Sequence, residues 1–94
     1  MDLDGLLDQH ATLTGQLVDA ISDLGETRAA LERARRDLWD STAHLGITER
    51  REQIKASCAP LEADAATQYA DCEMIRAQIA HIEWRLRVAC RIEG

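Results

Sequence analysis

Leucine recurs at every seventh position through the first half of the chain: Leu17, Leu24, Leu31 and Leu38, with Leu3 in the same phase. Taking Leu3 as heptad position a, the a series is Leu3, His10, Leu17, Leu24, Leu31 and Leu38. The d series is Leu6, Leu13, Ala20, Thr27, Ala34 and Ser41. Leu7 and Ile21, at e, are expected to widen the stripe. Such a repeat, sustained for almost six heptads, predicts a long helix with one face turned to a partner helix. The second half repeats the pattern. Ile47, Ile54, Leu61, Gln68, Ile75, Ile82 and Ala89 lie seven apart, and Arg51, Cys58, Ala65, Cys72, Ile79 and Leu86 each follow four residues later. Gln68 is the polar interruption, a group that can specify register at some cost in stability.

Between the halves runs STAHLGITER. Gly46 suits the stop of a first helix. Thr48 suits the N-cap of a second, with Glu49 and Glu52 in its first turn. The chain therefore reads as one all-α helical-hairpin domain, residues 1–94: helix about 2–44, turn about 45–47, helix about 48–92. A short link makes the helices antiparallel neighbours. The charges agree, because residues 1–27 hold six acids and no base while 76–94 hold Arg76, Arg85, Arg87 and Arg91 against two acids. An antiparallel coiled coil sets those segments side by side. Pro60 is the conflict within the second helix, where it removes a hydrogen bond at a cost of about 3 kcal/mol. The heptad phase does not skip there, so a kinked helix is favoured over a break, although Pro60 could also start a third helix. Gly5, Gly15 and Gly25 fall outside the a and d sites and soften the first helix.

One hairpin covers one stripe on each helix. The second helix carries another apolar line, Met74, Ala77, His81, Trp84 and Val88, at spacings of three and four. A monomeric hairpin leaves that line wet, and Trp39, Tyr69 and Trp84 also lie off the main seam. Large aromatics in such places anchor interfaces. The expectation is a homodimer forming a four-helix bundle, with Trp39, Met74, His81, Trp84 and Val88 exposed or at a protein interface; scattered exposed apolar side chains are the plainer alternative.

Composition narrows the function classes. The 94 residues include no Phe, one Pro, five Gly and abundant Ala, which favours helices over strands. A net charge of −6 disfavours non-specific binding to nucleic acid or anionic membranes. No apolar stretch approaches a membrane span, and no basic, then apolar, leader opens the chain. With three cysteines, an odd number, this predicts a cytoplasmic protein with reduced thiols.

Candidate chemistry is sparse. Cys58 and Cys72 lie on the seam and Cys90 off it, while His10, His44 and His81 are dispersed, so zinc-ligand spacing is missing and neither metal nor cofactor is expected. Glu49 beside Arg50 and Arg51, and Glu62 near Asp64, read as solvated helix faces, since a thin coiled coil lacks the pocket that catalysis needs. The reading is non-enzymatic. Arg28, Arg33, Arg35, Arg36, Arg50, Arg51 and Lys55 cluster towards the turn, where Arg28, Arg35, Arg36, Arg50 and Arg51 are the candidate contacts to a nucleic-acid backbone. Five acids are interleaved among these seven bases, leaving +2 over residues 28–55, so ion pairing along the helices is the favoured account and nucleic acid the alternative.

The leucine-heptad start and the ending AQIAHIEWRLRVACRIEG resemble the small helical, Ala- and Arg-rich accessory proteins of actinobacterial phages and prophages. The likeness spans the chain and includes no diagnostic motif. It implies a protein that binds or inhibits a host partner, or assists recombination or assembly, and it transfers no functional residue. Length, central turn and Tyr69-x-x-x-Glu73 are also similar to the secreted Trp-x-Gly helical hairpins of actinobacteria. Here, however, the turn reads Ala43-His44-Leu45-Gly46 without the tryptophan, Tyr69 lies within a predicted helix, and three cysteines depart from that pattern.

Overall fold

The computed structural model describes residues 3–93. They form a helical hairpin of two helices packed against each other, α1 (Leu3–Ser41) and α2 (Ile47–Glu93), with no strand among the described residues. The expected start of the first helix at residue 2 lies outside the described residues. The chain divides into two compact units. Met1–Ser22 with Tyr69–Gly94 make the terminal unit, and Asp23–Gln68 make the turn unit.

Burial follows the heptads in both. In the terminal unit Leu6, Cys72, Ile82 and Ala89 are buried, and Leu3, His10, Leu13, Leu17, Ala20, Ile75, Ile79 and Leu86 are half-buried. In the turn unit Leu24, Leu31, Cys58 and Thr42 are buried, and Thr27, Ala34, Leu38, Ile54, Leu61, Ala65 and Gln68 are half-buried. A leucine fully removed from water contributes about 1.5–3 kcal/mol, so the half-wet positions contribute less.

The edges of the predicted stripe are corrected. Leu7 and Ile21 do not widen it; both are exposed, because a helix with one neighbour dries one narrow seam. Near the turn, Ser41 is exposed and Thr42 is the buried residue. Ile47 and Arg51 are exposed, and Arg50 is the half-buried residue of that turn of helix.

Local hydrogen bonds explain the shift. The Thr42 hydroxyl donates to the Leu38 carbonyl at 2.5 Å, and the Thr42 N–H reaches the same oxygen at 3.0 Å. The Arg50 Nε donates to the Trp39 carbonyl at 3.0 Å, joined by Nη2. These donors satisfy carbonyls at the end of α1, so the helix closes at Ser41 and not near 44. Leu45 N–H then bonds the Thr42 carbonyl at 3.0 Å. Gly46 does not act as a left-handed stop, since no described glycine has positive φ. Its carbonyl accepts the Arg50 N–H at 2.9 Å, opening α2 at Ile47. Thr48, expected as the cap, lies inside the first turn.

Pro60 neither breaks α2 nor starts a new helix; the helix runs through it. Proline donates no hydrogen bond to the carbonyl four residues earlier, that of Ala56. Both residues are exposed, so this defect sits on the wet side of α2 and away from the seam. Gln68 keeps its place on the seam, with a buried Oε1 that has no hydrogen-bond partner.

Two stability outcomes follow. A Cβ added at Gly15 or Gly25 meets nothing within 4 Å. Gly15→Ala and Gly25→Ala should each stabilise the fold by about 0.5–1 kcal/mol, read as a raised urea midpoint; a lowered midpoint would show that these sites need glycine. Gln68→Leu removes the unpaired oxygen and should add about 1–2 kcal/mol without changing the urea slope. Destabilisation by Gln68→Leu would mean that the amide holds the seam in register.

Candidate protein-docking face

The apolar line of α2 lies in the terminal unit. Met74 is 57% exposed and Trp84 54%. Ala77 and His81 are exposed as well, whereas Val88 is half-buried. The His81 imidazole stacks on the Trp84 indole, with centroids 6.1 Å apart and planes at 22°. Two aromatic rings one helical turn apart thus pack against each other on the exposed side of α2. Helical spacing alone aligns them, since residues three apart are neighbours on a helix surface.

Beside this line an open groove of about 720 Å³ runs between the helices. Met74, Ala77, Gln78, His81 and Ile82 of α2 form one wall, and Asp8, Gln9, Thr12 and Leu13 of α1 form the other. The sequence reading found the first wall and missed the second. Apart from Leu13, a d position of the seam, those α1 residues carry no apolar pattern; the antiparallel register that sets them opposite Met74–Ile82 is the signal that locates them. His10, next to that wall, places Nε2 3.8 Å from Glu83 Oε1, a contact that is ionic only when the imidazole is protonated. With both groups well exposed it adds little. Leu7, Val18 and Ile21 of α1, and Ile92 of α2, are further exposed apolar side chains of this unit.

The turn unit places the arginine cluster differently from a phosphate-binding comb. Arg35 donates to Glu62 Oε1 at 2.7 Å. Arg50 bonds the Trp39 carbonyl and also lies over the Trp39 ring, 3.4 Å from guanidinium carbon to ring centroid. One arginine therefore caps α1 and covers an indole, a cation–π contact of about 0.5–1 kcal/mol. Trp39, expected as an anchor, is engaged by its own chain on that face. Arg36, Arg51 and Lys55 line a second open groove of about 500 Å³, together with Glu32, Asp40 and Glu62. Acid and base alternate around it. Arg28 is exposed elsewhere on α1.

Cys58 and Cys72 are each 1% exposed, and Cys90 is exposed. Among the described residues no group of three or more His, Cys, Asp or Glu is placed to hold a metal ion, and no helix is long and apolar enough to cross a membrane. Comparison with known proteins finds no matching family model, curated relative or solved structure.

The two seam thiols should resist a thiol-reactive reagent in the folded chain, while the exposed Cys90 is modified first. Titration with and without denaturant should count one thiol and then three; three fast thiols in the folded chain would contradict the packing of Cys58 and Cys72.

Proposed function

We propose that this chain is a non-enzymatic docking module that acts through the apolar face of its terminal unit. The observation that carries the reading is the run Met74, Ala77, His81 and Trp84, wet in the hairpin and flanking an apolar groove. Exposed aromatic and methionine side chains next to a concavity have the composition of interface centres. Open grooves between two helices do not exclude water, which argues against catalysis there. The resemblance to phage-type accessory proteins fits a protein that works by contact with a host or partner protein in a cytoplasm.

A nucleic-acid contact through the turn has weaker support. Arg35 and Arg50 are engaged within the chain, and Arg36 and Arg51 share their groove with three acids.

The test is photo-crosslinking in cells from residues introduced at Met74 and at Trp84, with Arg33 on the exposed side of α1 as the control. Adducts of defined mass are expected from the first two positions and not from Arg33. Trp84→Ala should weaken the captured complex by about 2 kcal/mol or more while the melting curve stays close to wild type. Absence of adducts from both positions, or equal adducts from all three, would remove the reading.

A further inference from the structure

The docking face has a polarity along α2. Its N-terminal end carries Asp71 and Glu73, and its C-terminal end carries Arg85, Arg87 and Arg91. Two charges, Arg76 and Glu83, lie between these ends. Arg76 donates to Glu73 Oε1 at 2.5 Å, and Glu83 lies beside His10. A carboxylate accepts from more than one donor, so Glu73 remains able to meet a further arginine.

Resting on the docking reading, we infer that the occupant of this face is a second copy of the same chain, with the two α2 helices running antiparallel. A two-fold axis midway between Ala77 and His81 sets Met74 against the second copy's Trp84 and Ala77 against its His81. Ala70 meets its Val88. Every layer then joins a small or flexible side chain to a large one, and methionine sulfur meets an aromatic ring. The flanks agree with the layers: Asp71 comes beside the second copy's Arg85, and Glu73 beside its Arg87. A parallel pairing would put acid against acid and arginine against arginine, which disfavours it. The paired stretch, residues 70–88, is about 27 Å of helix. The groove bounded by Met74 lies where the second copy's Trp84 arrives, which gives that indole a cleft to enter. The same patch serves on both copies, so the contact closes as a dimer of four helices and does not propagate.

Sedimentation of the full chain with exchanged charges tests this. Glu73 and Arg87 are both exposed, so Glu73→Arg and Arg87→Glu leave the seam untouched. Wild type should sediment as a dimer at high micromolar concentration. Each variant alone places two like-charge contacts in its homodimer and should dissociate roughly tenfold more readily or worse. An equimolar mixture should recover a dimer close to wild-type affinity, because both contacts are then acid to base, and melting of each variant separates this from misfolding. A wild-type dimer indifferent to both substitutions, or a mixture no tighter than its components, overturns the inference. So does a monomeric wild type. If that monomer still crosslinks through Trp84 to a different protein, the docking reading survives and the second copy falls; if it crosslinks to nothing, both fall.

Discussion

A helix in a two-helix hairpin has one neighbour, and that constraint governs the whole molecule. One seam is all that can be dried. The buried side chains are few and mostly modest in size: three leucines, one isoleucine, two cysteines, Ala89 and Thr42 among the described residues. The other a and d positions stay half-wet, save Ser41, Ile47 and Arg51 beside the turn, which are exposed. Chains this short bury a limited share of their surface in any fold, and a hairpin spends its apolar residues along a line and not around a centre. Stability then depends on keeping the register of the line. Gln68, with its buried unpaired oxygen, is a cost accepted within that line.

The heptads were legible because helix period and hairpin geometry ask for the same residues. From Leu3 to Leu38 and from Ile54 to Ala89 every a and d position is buried or half-buried. The reading fails at the turn, where local donors outrank periodicity. Thr42 and Arg50 are polar, so an apolar repeat passes over them, yet their bonds to the Leu38 and Trp39 carbonyls fix where α1 ends. Position e failed for a different reason. Leu7 and Ile21 are apolar, but no third helix reaches them within the chain. At Pro60 the unbroken phase favours a continuous helix over a break, and α2 is continuous there.

The candidate face was half legible. Its α2 wall announces itself by spacing; its α1 wall is Asp8, Gln9, Thr12 and Leu13, largely polar residues that matter by position alone. The arginines near the turn show the converse. Their number alone would suggest a basic surface, and geometry distributes them among a carboxylate, an indole and a groove where acids and bases are mixed. Charge totals survive translation into structure less well than hydrophobic period does, because a long flexible side chain chooses its partner only after the backbone is set.

Each compact unit contains one tryptophan, and the two indoles have unlike surroundings. Trp39 lies under a guanidinium in the turn unit, and Trp84 lies against an imidazole in the terminal unit. The chain thereby carries an intrinsic fluorophore for each half, and replacing either one with phenylalanine leaves an optical reporter confined to the other.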